Sequence, residues 1–159
     1  MENDIKAPFT LAEFWPYKAV FLADQISKFT HRVASETANL NLSQWRVLAA
    51  IAEQPGRTAA HVTRVTPMDK TIVSRAVQSL ITLELIKTSP DNNDKRRISL
   101  HATQKGDDIY KDIASKLSVA LTPNIKQDEN AQQLLGLLND FIARLDNISP
   151  AENLSLIHI

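Results

Sequence analysis

The stretch Asp69-Lys70-Thr71-Ile72-Val73-Ser74-Arg75-Ala76-Val77-Gln78-Ser79-Leu80-Ile81-Thr82-Leu83 carries the reading of the fold. Its aliphatic residues Ile72, Val73, Ala76, Val77, Leu80 and Ile81 recur at helical spacing, which predicts a helix over about 69–83 with that side buried. Asp69 is placed to cap it, with Thr66 followed by Pro67 as a competing start. On the other side Thr71, Ser74, Arg75, Gln78 and Thr82 stand at i, i+3, i+4, i+7 and i+11, so they share one face. No carboxylate interrupts that face except Asp69 at its start.

Working outward, Thr58 opens a short helix with Ala59, Val62 and Val65 inward, and Thr66-Pro67-Met68 turns the chain into the helix above. Before it, Ser43 is expected to cap a helix that buries Trp45, Leu48, Ala49 and Ile51 and stops at Pro55-Gly56. After it, Ile86–Ser89 and Arg97–His101 are short enough to pair as strands. In the second of these, Ile98 and Leu100 alternate with Arg97, Ser99 and His101. The intervening Pro90-Asp91-Asn92-Asn93-Asp94 is dense in turn formers. The order is that of a helix-turn-helix followed by a hairpin wing.

Longer helices flank this centre. One is expected from Leu11 to about Thr37, with Pro16 tolerated in its first turn and Leu11, Phe14, Tyr17, Phe21, Ile26, Phe29 and Val33 as its apolar stripe. Thr103 caps another that reaches about Leu121 and ends at Pro123. A last helix over about 128–147 shows Leu134, Leu135, Leu138, Phe141, Ile142 and Leu145. The fold class is therefore mainly α with a small β-hairpin wing. A winged helix-turn-helix over 41–102 is joined to helical regions at 1–40 and 103–159.

Charge is concentrated in the centre. From Arg57 to Lys105 there are nine Lys/Arg against four Asp/Glu, a net of +5; the whole chain has 18 of each, so the remainder carries nine against 14, or −5. A neutral chain thus hides a basic middle between acidic ends, which suits a surface that meets a polyanion. On the polar face, Arg75 has the geometry for two parallel hydrogen bonds to guanine, Gln78 for adenine, and Thr71 and Ser74 for bases, phosphates or a thymine methyl. Lys70 and Lys95 are placed for phosphate. Arg96, supported by Arg97, suits a narrow minor groove, with Asp94 near enough to orient it. A solvated helix face would carry the same residue types. The basic run at the wing, at this distance from a helix-turn-helix, separates the two readings.

These stretches resemble the MarR family of bacterial transcription regulators. The similarity is carried by Leu42-Ser43-Gln44-Trp45-Arg46-Val47-Leu48, by Asp69 through Val77, by Leu80 through Ile86, by the Asp-rich run from Asp91 to Arg96, and by Thr103-Gln104-Lys105-Gly106. Their order and spacing carry the likeness more than any one of them. The resemblance implies a homodimeric repressor of a palindromic double-stranded DNA operator, dimerised through its first and last helices and often released by a small phenolic or other amphipathic ligand. Two positions depart from the pattern. Glu84 stands where the family usually has Gly, and Ala102 replaces the usual Leu before Thr103.

A ligand would be expected against Tyr17, Lys18, Phe21, Trp45 and Arg46, where aromatic walls and a cation suit an aromatic carboxylate; the same residues also read as ordinary core and surface. The exposed apolar residues of the outer helices fit either a two-fold partner or packing within the chain. A winged helix can also serve as a protein–protein module without DNA contact, or as a ligand-binding scaffold.

Other classes find no support. Gly56, Gly106 and Gly136 are scattered singly, so there is no phosphate-binding glycine loop. His31, His61, His101 and His158 do not stand at metal-ligand spacing, and no nucleophile–base arrangement is readable, so no catalytic residue, metal or cofactor is expected. With no cysteine there is no disulfide and no thiol redox switch. No apolar run approaches the roughly 20 residues of a membrane span, and the acidic start is unlike a signal peptide, so a cytoplasmic protein without membrane contact is expected.

Overall fold

The computed structural model describes residues 10–90, 97–121 and 129–146. Among them are six helices and one hairpin: α1 Trp15–Ala38, α2 Leu42–Glu53, α3 Ala59–Val65, α4 Lys70–Thr82, β1 Ile86–Pro90, β2 Ile98–Ala102, α5 Gln104–Leu121 and α6 Glu129–Asp146. The chain divides into two compact units, 1–117 and 118–159.

Local chemistry explains most element starts. Pro16 lies in the first turn of α1, where no intrahelical N–H is needed. Thr58 caps α3 by accepting from the His61 N–H, and Asp69 caps α4 by accepting from the Ile72 N–H at 2.8 Å. The start of α2 differs from the expectation. Its cap is Asn41 rather than Ser43: Asn41 Oδ1 accepts from the Gln44 N–H at 2.9 Å, and Gln44 Oε1 accepts from the Asn41 N–H at 2.8 Å. This reciprocal capping box satisfies two orphan donors at once, which a lone Ser43 hydroxyl does not.

The first unit is built around α2, which buries Trp45, Val47, Leu48, Ala50 and Ile51. Ala34 of α1, Val62 of α3, Val73, Ala76 and Leu80 of α4, Ile86 and Leu100 of the hairpin and Ile113 of α5, with Leu40, Met68 and Leu85 of the connections, complete the core. Trp45 also stacks on Tyr110, with ring centroids 5.8 Å apart. β1 and β2 run antiparallel, with Ile86 opposite Ala102 and Pro90 opposite Ile98. On the other edge of β2, Leu100 accepts from the Gly56 N–H and donates to the Arg57 carbonyl, so the α2–α3 connection closes that edge. Gly56 has φ 88°, which glycine adopts without a Cβ penalty.

Three aliphatic positions face otherwise than expected. Ile98 is 60% exposed while Ser99 is buried, because Ile98 pairs with Pro90 at the last rung of the ladder. Ile72 is 40% exposed. At helical pitch it lies about 70° around α4 from the mean direction of Val73, Ala76 and Leu80, on a flank rather than the buried side. Val65, the last residue of α3, is also exposed.

Two helices leave apolar faces uncovered. In α1 only Thr30 and Ala34 are buried, while Tyr17, Val20, Phe21, Leu22 and Ile26 are exposed. In α6, within the second unit, Leu134, Leu135, Leu138, Ile142 and Leu145 are exposed, and the Arg144 guanidinium lies over the Phe141 ring.

Candidate nucleic-acid interface

The polar residues of α4 form one continuous strip. Thr71, Ser74, Arg75, Gln78 and Thr82 are all exposed, and at helical pitch they fall within an arc of about 100°. Val73, Ala76 and Leu80 hold the opposite side in the core, so the strip points away from the body of the first unit. The one carboxylate at its start is occupied, since Asp69 caps the helix. Lys70, the first residue of α4, is exposed beside that helix N-terminus, where backbone N–H groups and the helix dipole favour an anion.

The far end of α4 is built with unusual care. The Leu85 N–H reaches the Leu80 carbonyl and the Glu84 N–H reaches the Ile81 carbonyl, both at 2.9 Å, the pairing of a Schellman motif. Glu84 occupies the position that glycine normally fills and has φ 58°, so the left-handed backbone at this departure from the family pattern is real. The carbonyls of the residues just after α4 are taken up by the start of α5. Thr103 Oγ1 donates to the Glu84 carbonyl at 2.8 Å and accepts from the Gly106 N–H at 3.1 Å, and Lys105 Nζ donates to the Leu83 carbonyl at 3.1 Å. A Cβ on Gly106 would stand 2.0 Å from the Leu85 carbonyl oxygen, so only glycine lets α5 seat there.

These contacts thin the basic centre. Arg57 is turned inward, its side chain 11% exposed, with Nη1 donating to the Ala50 carbonyl at 2.7 Å and to Glu53. It holds the end of α2, as Lys105 holds the end of α4. Sequence reasoning counted both as part of a polyanion-facing surface. It also missed Gln44, whose Nε2 donates to Ser79 Oγ on α4 at 2.6 Å. The Asn41-x-x-Gln44 spacing was a usable signal for the cap but not for a bond to a residue 35 positions away.

The hairpin supplies the wing. Arg97 is exposed immediately before β2, whereas Asp94, Lys95 and Arg96 lie outside the described residues. The five residues expected to line a ligand pocket are divided. Tyr17, Lys18 and Phe21 are exposed on α1, Trp45 is a core residue, and Arg46 Nη2 donates to Ser27 Oγ at 3.2 Å. Two hollows lie elsewhere. One of about 420 Å³ is lined by Ser27, Lys28, His31, Asn41, Leu42 and Ser43, and another of about 330 Å³ between α3 and α4 by Ala59, Ala60, Thr63, Lys70 and Ser74. Among the described residues no cluster of His, Asp or Glu could hold a metal ion, and no helix is long and apolar enough to cross a membrane.

A buried helix, a short helix, an exposed polar helix and a hairpin in this order define a winged helix-turn-helix. Residues 38–97 match the model of the MarR family. Over this stretch the chain is similar to that family, whose members are transcriptional regulators rather than enzymes. It is 28% identical over 109 residues to an HTH-type transcriptional regulator of Staphylococcus aureus, across 65% of this chain and 74% of that one. Solved structures share the fold. A MarR/EmrR family regulator from Acinetobacter sp. ADP1 superposes with a TM-score of 0.74 at 19% identity, covering 88% of this chain and all of that one. Staphylococcus aureus MarR, in complex with salicylate and kanamycin, gives 0.69 at 22% identity over 87% and 95%. CouR of Rhodococcus jostii, bound to p-coumaroyl-CoA, gives 0.74 at 16% identity over 90% and 99%.

Proposed function

We propose that this DNA-binding regulator acts as a homodimeric repressor of a palindromic operator and is released by a small ligand. The observation that carries the reading is the exposed, carboxylate-free strip of Thr71, Ser74, Arg75, Gln78 and Thr82 on a helix whose other side is core. Such a strip fits a major groove. Arg75 is the base-edge residue, with Thr71, Ser74 and Gln78 beside it. Lys70 and Lys95 grip phosphate, and Arg96 with Arg97 enters the flanking minor groove. The helical regions 1–40 and 103–159 join two copies, because half-sites about one DNA turn apart require two strips on one axis. The exposed apolar residues of α1 and α6 support this pairing. A double-stranded DNA target fits a cytoplasmic location. The salicylate and p-coumaroyl-CoA complexes of structurally similar proteins favour a phenolic, amphipathic ligand, with Tyr17, Lys18 and Phe21 as its exposed contacts and Arg46 reaching it only by leaving Ser27, while Trp45 stays in the core.

The test is selection from random duplexes followed by titration of the recovered site across salt. Each neutralised phosphate should contribute about 0.9 to the log–log slope. A recovered palindrome with a steep slope supports the reading. No enrichment, with a flat slope, removes it in favour of a protein-interaction module.

A further inference from the structure

We infer that Gln44 is a positioning residue for the α4 strip, acting through Ser79, and thereby a determinant of sequence discrimination that touches no DNA. Both ends of its amide are engaged. Oε1 accepts from the Asn41 N–H at 2.8 Å, and Nε2 donates to Ser79 Oγ at 2.6 Å. Because a backbone N–H can only donate, the amide oxygen must face Asn41, which leaves the NH₂ for Ser79. Asn41 Oδ1 returns a bond to the Gln44 N–H, so the side chain is clamped at its root as well. The result is a rigid polar strut from the first turn of α2 to the flank of α4, partly buried and so little weakened by water.

Ser79 stands where such a strut controls rotation. At helical pitch it lies between the buried row of Val73, Ala76 and Leu80 and the exposed strip. Apolar contacts of that row, with the small Ala76 at its middle, are non-directional and set rotation only loosely. A short hydrogen bond does not, because its strength falls steeply with misalignment. A roll of about 10° moves atoms at the helix's outer radius of about 5–6 Å by about 1 Å. That is enough to spoil a bidentate contact to one base pair while leaving phosphate contacts intact.

The inference rests on the DNA-binding reading, and the experiment separates the two. Ser79→Ala removes the strut but keeps the Asn41–Gln44 capping box; Gln44→Ala removes the strut and the side-chain half of the box, leaving the Asn41 Oδ1 bond to the backbone N–H of residue 44. Gln44→Glu keeps the strut and the whole box, since its carboxylate accepts from the Asn41 N–H and from the Ser79 hydroxyl, which turns to donate. Binding of the full-length protein to its selected duplex and to a scrambled one is measured well below the unfolding midpoint. Amide exchange across α4 is measured without DNA. The expected result is a roughly tenfold fall in the specific-to-nonspecific ratio for Ser79→Ala and Gln44→Ala, an unchanged salt slope, faster exchange in α4 than in α2, and recovery in Gln44→Glu. A ratio within twofold of the parent in both alanine variants overturns the inference. So does an equal loss on both duplexes that tracks a lowered unfolding midpoint. Should the parent select no duplex at all, the DNA reading fails and amide exchange alone decides: faster exchange in α4 upholds the strut, and unchanged exchange removes it.

Discussion

α1 and α4 are both amphipathic helices of the first unit, and they resolve their second face in opposite ways. α4 buries Val73, Ala76 and Leu80 and turns hydroxyls, an amide and a guanidinium outward. The first half of α1 buries nothing and leaves Tyr17, Val20, Phe21, Leu22 and Ile26 uncovered. A polar strip costs nothing to hydrate and suits a partner that is itself hydrated and charged. An apolar strip is a standing cost until something excludes water from it. One chain therefore carries two faces of different chemistry: a hydrated polar strip at α4, and an uncovered apolar strip at α1.

The largest expected effect comes from removing the apolar strip. Val20→Asp with Phe21→Asp leaves the single-chain core untouched, since both residues are exposed. Burying one such side chain is worth about 2 kcal/mol, and each substitution is made twice in a dimer. Light scattering should move from about twice 17.7 kDa to the single-chain mass, and a species of unchanged mass would mean α1 is not the joint.

Next is the mounting of α4. Gly106→Ala forces a Cβ to 2.0 Å from the Leu85 carbonyl oxygen, which is backbone and cannot swing aside. A loss on the order of 3 kcal/mol is expected in denaturant unfolding. A midpoint near the parent's would show that α5 can back away from the hairpin without cost.

Arg75→Ala should lose about 2 kcal/mol of duplex affinity, confined to one base pair of the half-site. An equal loss on every sequence would make Arg75 a phosphate contact and blur the distinction between the strip and an ordinary basic surface.

The smallest effect has the opposite sign. Glu84 holds φ 58° at the end of α4, and Glu84→Gly should stabilise by about 0.5 kcal/mol, the relief of strain being partly offset by greater freedom in the unfolded chain. A destabilised Gly variant would mean the glutamate side chain has a contact worth more than its strain.

How much of this was legible in the sequence depends on range. Signals within a few residues read correctly: the caps at Thr58, Asp69 and Thr103, the early Pro16, the shared face of Thr71 to Thr82, and the hairpin with its strand ends off by one. Asn41 was overlooked for Ser43 although its spacing to Gln44 spells a capping box. Ile72 and Ile98 read as inward because a two-sided pattern does not show where the covering element stops. Contacts between distant positions left no local trace. Nothing near Gly106 announces Leu85, nothing near Gln44 announces Ser79, and Arg57 looked like surface charge until the fold turned it inward.

The carbonyls of Leu83 and Glu84, just past α4, are held by Lys105 and Thr103 at the first turn of α5, and the bare backbone of Gly106 leaves room for that of Leu85. Those two helices are thereby welded end to end across the foot of the hairpin. Tilting one re-aims the other, so the heading of the exposed polar strip follows the inclination of α5, as a compass needle's mount sets where it points.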